Sequence, residues 1–279
     1  MTQAPALIAA NFHMLKPCDS RCRFCFATFR DVRGRLGVED AERVIDALHD
    51  SGIVKLTFVG GEPTLHPHLG RLVRHAKVRG MVTCVVTNGF RLDPLLDEAA
   101  DALDWVGFSV DSGDELTQAE LGRGHGDHVA RSVAHADRCR ELGIRVKLNT
   151  VVTRRTVDED LAALVRRMAP ERWKVFQVLP VAGQNDGSVE DLLITDAQFR
   201  AFVDRHAHLA GEGLAPVVED NDAMRGSYVM VDPLGRFYGN ATGRHVYSAP
   251  ILEAGVAAAL AQVGFQPDKF DARGGRYAW

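Results

Sequence analysis

The sequence predicts an α/β protein in which a parallel sheet forms a barrel and a C-terminal extension packs on it. Apolar runs of strand length recur through the first 180 residues, and helix-length amphipathic segments separate them. The strands are rich in Val, Ile and Phe at nearly every position. Such strands are typical of parallel sheets that helices cover on one face and a filled interior covers on the other.

Six strands are predicted, with helices between them. The strands are residues 7–15, 54–61, 81–89, 103–112, 144–153 and 173–181. The helices are residues 38–52, 69–77, 96–100, 128–143 and 157–168. In the first helix Val44, Ile45 and Leu48 share one face, and Gly143 is placed to end the fourth. Strands that alternate with helices form βαβ units, so neighbouring strands run parallel.

Residues after about 180 have a different organisation. A helix is predicted over residues 195–210 with Thr195 as its N-cap, a hairpin over 227–240 and a further helix over 251–264. The hairpin turn is placed at residues 232–235. We interpret residues 1–180 as the barrel and residues 181–279 as an extension that closes the active site, the two forming one continuous unit.

Composition limits the partners of this protein. The chain has 279 residues and a net charge of −4, so no overall basic field attracts it to long nucleic acids or anionic membranes. It contains no run of eighteen apolar residues and no signal-peptide pattern. We therefore expect a cytoplasmic protein without a nucleic-acid or membrane partner, in a reducing compartment where cysteines are ligands or free thiols.

Three of the five cysteines follow the first strand within eight positions: Cys18, Cys22 and Cys25. Soft thiolates bind zinc or iron–sulfur clusters. Three ligands on one loop would leave one iron of a four-iron cluster open, as catalytic metal sites require. The alternatives are a zinc site with a histidine as its fourth ligand, or chance. His13 is nearby but belongs to the strand.

The other two cysteines are interpreted differently. Cys84 lies in a predicted strand and Cys139 in a predicted helix, where each is expected to be a small buried hydrophobe.

The cysteine spacing, an aromatic residue (Phe24) before the last cysteine and a strand that ends in Gly-Gly-Glu-Pro resemble the radical S-adenosylmethionine (SAM) superfamily. The resemblance implies a partial (β/α)6 barrel, a [4Fe–4S] cluster on the three cysteines, and SAM bound to the fourth iron. Without the resemblance, Gly60 and Gly61 would only indicate a tight βα turn. The cofactor-binding residues that it implies are Gly60, Gly61, Glu62, Pro63, Asn88, Ser109 and Arg123.

Three pairs of polar residues lie within otherwise apolar strands. Members of each pair are two positions apart, so they share one face. Cations there are costly to bury without a carboxylate, water or an anionic ligand. If these faces turn inward, the cations form a polyphosphate site; otherwise each lysine extends from its strand end into solvent. The pairs are Lys55 with Thr57, Lys147 with Asn149, and Arg172 with Lys174.

Longer segments resemble the viperin-like branch of that superfamily, among them NFHMLKPCDSRCRFCF, RWKVFQVLPVAGQN and the closing RGGRYAW. The resemblance implies dehydration of a ribonucleoside triphosphate to its 3′-deoxy-3′,4′-didehydro analogue, a chain terminator in antiviral defence. CTP is the favoured substrate, with UTP and GTP open, and a flavodoxin or ferredoxin is the expected electron donor. The implied substrate-binding residues are Lys55, Thr57, Lys147, Asn149, Arg172, Lys174 and Arg244.

Tyr228 is a candidate hydrogen or electron donor at the reacting ribose by the same resemblance. The alternative is a core tyrosine with a satisfied hydroxyl.

Two features depart from that branch. The sequence shows no N-terminal amphipathic helix of the kind that anchors its animal members, and His245 replaces the usual lysine after Gly-Arg. Two other functions stay open: a radical SAM enzyme for another small substrate, or a non-catalytic nucleotide or metal sensor. No cysteine follows Cys139, which argues against a second cluster.

Overall fold

Seven parallel strands form the centre of the fold, as seen in a computed structural model that describes residues 9–277. They pair in chain order from the first to the seventh, and each pair is parallel. The strands are β1 (Ala9–His13), β2 (Lys55–Val59), β3 (Val82–Thr87), β4 (Trp105–Ser109), β5 (Arg145–Val152), β6 (Arg172–Gln177) and β7 (Pro216–Glu219).

Helices connect successive strands and cover the outer face of the sheet. Val44, Ile45 and Leu48 of the first helix are fully buried against that face, as predicted. None of the helices within residues 9–277 is long and apolar enough to cross a bilayer. The helices are α1 (Val38–Asp50), α2 (Leu69–Val78), α3 (Leu92–Ala99), α4 (Glu115–Glu120), α5 (His128–Glu141), α6 (Ala162–Met168), α7 (Asp196–Arg205), α8 (Asn221–Met224), α9 (Ile251–Ala254), α10 (Val256–Leu260) and α11 (Pro267–Ala272).

The C-terminal part of the chain extends the sheet at both edges. β7 pairs with β6, while β8 (Met230–Val231) pairs in parallel with β1. Strands β9 (Arg236–Gly239) and β10 (Val246–Pro250) complete the order β10-β9-β8-β1-β2-β3-β4-β5-β6-β7. The predicted hairpin is confirmed, because β8 and β9 are antiparallel and Gly235 N donates to Asp232 O at 3.0 Å.

The structure corrects several predicted boundaries. Strands β7 and β10 were not predicted, and residues 7 and 8 of the first predicted strand lie outside the described residues. The predicted helix over 251–264 is interrupted at Gly255, whose φ of +77° separates α9 from α10. The helix predicted from residue 157 begins at Ala162, after turns, and Thr195 does cap α7 through a capping box.

Alternation along the strands places the polar residues in the interior of the curved sheet. On β2, Leu56 and Phe58 are fully buried, whereas Thr57 faces a cavity on the opposite side. On β5, Lys147 and Asn149 face that same cavity. A single cavity is lined by residues from each of β1 to β6, so the sheet curves around it as a partial barrel. The predicted fold class is therefore confirmed.

Candidate active site

The cysteine loop follows β1 and rests against two other loops through backbone hydrogen bonds. Glu62 N donates to Pro17 O at 2.9 Å, and Arg21 N donates to Gly122 O at 2.8 Å. Gly61 and Gly122 permit this close approach. A Cβ on Gly61 would lie 2.1 Å from Pro17 O, and one on Gly122 would lie 2.1 Å from Arg21 O. Any side chain there would push the loop away.

All three thiols of the loop are free and line the same cavity. Burial raises the pKa of Cys18 to about 11 and that of Cys22 to about 12, so both thiols are protonated at neutral pH until a metal replaces the proton. Within residues 9–277 no three His, Cys, Asp or Glu side chains are arranged to hold a single metal ion. Three soft donors on one loop fit an iron–sulfur cluster with one open iron.

The carboxylate of Glu62 is satisfied by protein donors. Its Oε1 accepts from Thr64 N at 3.0 Å, Thr64 Oγ1 at 2.7 Å and Thr87 Oγ1 at 2.6 Å, and its Oε2 accepts from Asn88 N at 2.8 Å. These bonds tie the turn after β2 to the end of β3. The side chain therefore positions the rim, and Gly60 and Gly61 line the cavity next to it.

Asn88 connects the end of β3 to the cysteine loop. Its Nδ2 donates to Asp19 Oδ1 at 2.6 Å and to Ser20 Oγ at 3.1 Å, and its Oδ1 accepts from Phe90 N at 3.0 Å. Asn88 thus lines the cavity and also fixes the loop that carries the thiols.

Arg123 places a fixed positive charge beside the thiols. Its Nε donates to Asp111 Oδ2 at 2.5 Å, and the guanidinium lies 5.5 Å from the centre of the Phe24 ring. Burial alone would lower the pKa of Arg123, but the charge of Asp111 and its hydrogen bond raise it above the usual value. Ser109 lies on the same cavity wall at the end of β4.

We call this space the cysteine cavity. Its volume is about 290 Å³, and it brings together most of the predicted site residues. Those residues are Cys18, Cys22, Cys25, Thr57, Gly60, Gly61, Glu62, Asn88, Ser109, Arg123, Lys147, Asn149, Lys174 and Tyr228.

A smaller space of about 50 Å³, here called the cation pocket, adjoins it. Thr57, Lys147, Lys174 and Tyr228 line both spaces. The cation pocket also contains Lys55 and Arg172, with Arg273, Gly274, Gly275 and Tyr277 from the C-terminal segment. The four cations predicted to share an interior face do share it.

Lys147 is the least compensated of these cations. Its ammonium has no hydrogen bond or ion pair with the residues that the structure describes, and burial lowers its pKa. Lys147 packs near Gly107 of β4, where a Cβ would meet Val86 Cγ2 at 2.9 Å but would be in ordinary contact with Lys147 Cδ at 3.7 Å. The Oδ1 of Asn149, two positions further, is buried and has no hydrogen-bond partner among residues 9–277. Both groups can receive a ligand.

Lys55 and Arg172 contact the C-terminal segment. Lys55 donates to the hydroxyl of Tyr277, and burial is the main cause that lowers its pKa to about 8. Arg172 lies 3.8 Å from the centre of the Tyr277 ring and donates through Nη2 to Gly274 O at 2.7 Å. This segment therefore forms one wall of the cation pocket.

Sequence reasoning missed Glu219 at the end of β7. This fully buried carboxylate pairs with Lys174 and with Arg273, which lies at 3.3 Å, and it accepts a hydrogen bond from the hydroxyl of Tyr228. Burial would raise the pKa of Glu219, but Lys174 and Arg273 hold it below the usual value. No local sequence pattern identifies Glu219 as a site residue, whereas Arg273 is the first residue of the closing RGGRYAW segment.

The structure does not bring two predicted residues into these spaces. Arg244 is exposed, forms a backbone bridge with Ala182, and lines neither the cysteine cavity nor the cation pocket. Pro63 is buried in a 3₁₀ turn (Pro63–Leu65) next to the rim and lines neither space. The placement of both differs from the expectation that they contact ligands directly.

The chain matches the family model of the Radical SAM superfamily over residues 15–168. An S-adenosylmethionine-dependent nucleotide dehydratase from Flammeovirga pacifica is 42% identical, and the alignment covers 97% of this chain and 96% of that protein. A protein of the same name from Lacinutrix mariniflava is 43% identical over 97% of this chain but only 58% of its own length. The enzyme RSAD2 of Oncorhynchus mykiss is 34% identical, covering 97% of this chain and 80% of that protein.

Solved structures agree on the fold. Streptococcus suis SuiB bound to S-adenosylmethionine superposes with a TM-score of 0.68 at 18% identity, covering 83% of this chain and 60% of SuiB. The structure of anSMEcpe with bound AdoMet and a peptide gives a TM-score of 0.66 at 15% identity, covering 84% of this chain and 74% of that one. At these identities the likeness supports the fold alone.

Proposed function

The chain belongs to the radical SAM superfamily and, within it, to the S-adenosylmethionine-dependent nucleotide dehydratases, and from this premise we propose that it dehydrates a ribonucleoside triphosphate. The product is the 3′-deoxy-3′,4′-didehydro nucleotide, with CTP as the first candidate substrate and UTP and GTP as alternatives. Its cofactors are a [4Fe–4S] cluster and SAM, as in the superfamily.

One observation carries the proposal. The cysteine cavity and the cation pocket adjoin and share Lys147, Lys174 and Tyr228. A molecule with an anionic end and a neutral end can therefore occupy both, with its anionic part among the cations and its remainder facing the thiols. A nucleoside triphosphate has this shape and charge distribution.

The cysteine cavity holds the cofactors in this proposal. Cys18, Cys22 and Cys25 bind the cluster, and the backbone of Gly60 and Gly61 faces the amino group of SAM. Arg123 and Ser109 face its carboxylate and ribose, and Asn88 keeps the rim in place. When bound, the cluster and SAM supply a 5′-deoxyadenosyl radical, which removes the 4′ hydrogen of the substrate ribose.

The cation pocket holds the triphosphate. Lys55, Lys147, Arg172 and Lys174 supply the positive charge, and the C-terminal segment with Arg273 closes one side. Asn149, with its unsatisfied oxygen, orients the nucleoside. The extension over residues 181–279 thus completes the active site rather than forming a separate domain.

Tyr228 completes the reaction. After removal of the 4′ hydrogen, one proton and one electron must enter for the 3′ hydroxyl to leave as water and the double bond to form. Tyr228 can supply both as a hydrogen atom, and the external reductant then restores the phenol with another electron and proton. Its hydroxyl accepts a hydrogen bond from Lys174 Nζ at 2.7 Å and donates one to Glu219, so the two side chains hold the phenol in position.

The test is anaerobic reconstitution with iron, sulfide, SAM and dithionite, followed by each nucleoside triphosphate separately. Mass spectrometry should show one nucleotide losing water while 5′-deoxyadenosine accumulates. Equal 5′-deoxyadenosine with and without nucleotide, and no dehydrated product, would refute the proposal.

Lys174→Ala tests the triphosphate site separately from the cluster. It should weaken nucleotide binding while leaving the cluster absorbance unchanged, and Arg200→Ala on the exposed face of α7 serves as the control. Loss of the cluster absorbance in Lys174→Ala alone would contradict the assigned role.

A role in antiviral defence in the cytoplasm completes the proposal, because a chain-terminating nucleotide acts on polymerases. Expression in a phage-sensitive bacterium should reduce plaque formation, and Cys22→Ala should abolish the protection.

A further inference from the structure

A second, larger cavity of about 900 Å³ opens on the outer side of the cysteine loop. Cys18, Cys22 and Cys25 line it, and they line the cysteine cavity as well. The cysteine loop therefore lies between the cysteine cavity and the outer cavity. Nothing in the proposed chemistry of the inner side uses this outer cavity.

The charged residues that line the outer cavity, which we call the basic groove, are all cations. No carboxylate is among its lining residues, although the whole chain carries a net charge of −4. All of its cations except Arg23 are exposed. The cations are Lys16, Arg21, Arg23, Arg30, Arg33 and Arg35.

Only part of this charge is neutralised within the protein. Arg23 pairs with Asp191 at 2.5 Å, and Arg30 lies 3.8 Å from Asp186. Lys16, Arg33 and Arg35 have no hydrogen bond or ion pair through their side chains within residues 9–277. The groove thus keeps an excess of positive charge in the same cavity that the three thiols line.

We propose that the basic groove is the docking surface for an acidic one-electron carrier protein of the flavodoxin or ferredoxin class. The inference rests on the proposed function, in which electrons must reach a cluster held by the three cysteines. Electron tunnelling weakens steeply with distance, so a carrier must dock where the thiols lie nearest the outside. In the proposed function SAM and the nucleotide occupy the inner side of the cysteine loop, so the carrier must approach the thiols through the basic groove.

The character of the groove fits a protein rather than a small anion. Its unpaired cations are exposed around a wide opening, whereas a phosphate site requires donors that converge on one point. Electron-transfer complexes use small interfaces and bind weakly, and complementary charge steers the partners together. A rim of lysine and arginine over a redox centre has these properties.

Binding is the deciding measurement, because it does not depend on turnover. A fluorescently labelled acidic flavodoxin and a [2Fe–2S] ferredoxin are titrated with the full-length protein, with and without the cluster. At least one carrier should bind, and its Kd should rise steeply with salt. Arg33→Glu and Arg35→Glu should each weaken binding about tenfold, and Arg33→Gln should have a smaller effect.

The matched control is Arg200→Glu, which reverses an exposed arginine on α7 that has no described side-chain partner. It should bind the carriers as the unmodified protein does. Equal binding by Arg33→Glu, Arg35→Glu and Arg200→Glu would overturn the proposal. So would failure of both carriers to bind while inorganic pyrophosphate saturates the groove in an Arg33-dependent manner, since the groove would then be a small-anion site.

Reduction kinetics separate this proposal from the proposed function. With a reduced carrier as the electron source, Arg33→Glu should slow formation of 5′-deoxyadenosine about tenfold. With dithionite, which needs no docking surface, the same variant should match the unmodified enzyme. A defect of equal size in both arms would overturn the docking role, whereas absence of dehydrated nucleotide from the unmodified enzyme under dithionite would count against the proposed function alone.

Discussion

Lys174, which lines the cation pocket, forms a buried ion pair with Glu219, and the two side chains are only 5% and 0% exposed. The pair joins β6 to the end of β7, and Tyr228 bridges it through its hydroxyl. In the protein without substrate, Glu219 occupies the place of an anion among cations. We therefore expect that removing the charge of Glu219 lowers the stability of the free protein but raises its affinity for the nucleotide.

Glu219→Gln should destabilise the free protein and tighten nucleotide binding. Removing one partner of a buried pair costs about 3–5 kcal/mol, because Lys174 is left without its counter-charge. The triphosphate no longer competes with a carboxylate, so its Kd should fall about tenfold. Thermal unfolding and calorimetric titration measure the two effects, and Glu190→Gln on the surface is the control. Weaker binding would show instead that Glu219 orients Lys174 for the phosphates.

Lys147→Met should have the reverse pattern. Lys147 has no described partner and its pKa is lowered by burial, so its removal should stabilise the free protein by about 1 kcal/mol. Binding of the triphosphate should weaken roughly ten- to a hundredfold, the value of one charge-assisted hydrogen bond. Lys77→Met removes a lysine paired with Asp104 outside the site and should leave binding unchanged. A less stable Lys147→Met protein would contradict the unpaired state of the ammonium.

Tyr228→Phe should uncouple radical formation from product formation. The phenylalanine keeps the ring but cannot donate a hydrogen atom, so more 5′-deoxyadenosine should form for each dehydrated nucleotide. Nucleotide affinity should change only a few-fold, because Lys174 and Glu219 still pair. Tyr247→Phe removes a hydroxyl that bonds Asp31 outside the cavity and is the matched control. An unchanged ratio in Tyr228→Phe would make Tyr228 a packing residue only.

Nucleotide affinity should fall as pH rises above about 8. The pKa of Lys55 is about 8 in the free protein, mainly through burial, with Lys147 and Arg172 adding to the effect. A bound triphosphate favours the charged ammonium, so above this pH binding must take up a proton and affinity declines by up to about tenfold per pH unit. Below pH 8, Lys55 is already charged and adds no pH dependence to the nucleotide affinity. Calorimetric titration in buffers of different ionisation enthalpy measures the number of protons taken up when the nucleotide binds.

Lys55→Arg tests the assignment, because arginine stays charged and should flatten the slope above pH 8. The pH dependence of the stability of the free protein has the opposite sign to that of nucleotide affinity. The folded pKa lies below the unfolded value of about 10.4, so stability gains a contribution from Lys55 as pH rises from about 8 towards 10. A slope that survives in Lys55→Arg would assign the proton to another group, such as Lys147.

Much of the site could be predicted because its signals are local. The cysteine spacing, the Gly-Gly-Glu-Pro turn and the cations two apart on β5 and β6 depend only on neighbours in the chain. Strand alternation then places Lys147 and Asn149 on one face wherever the strand lies. Arg244 was assigned by resemblance alone, and its exposed position in a loop is not one that strand alternation could have placed.

The sequence by itself determined the strand–helix alternation, the three-thiol loop and which face of each strand carries charge, because these follow from residue spacing and side-chain chemistry. Only the tertiary structure decided that Glu219 neutralises Lys174 and that Glu62 binds Thr87 and Asn88. Those contacts join segments distant in the chain, so curvature of the sheet and packing of the C-terminal extension select them, and no spacing rule encodes them.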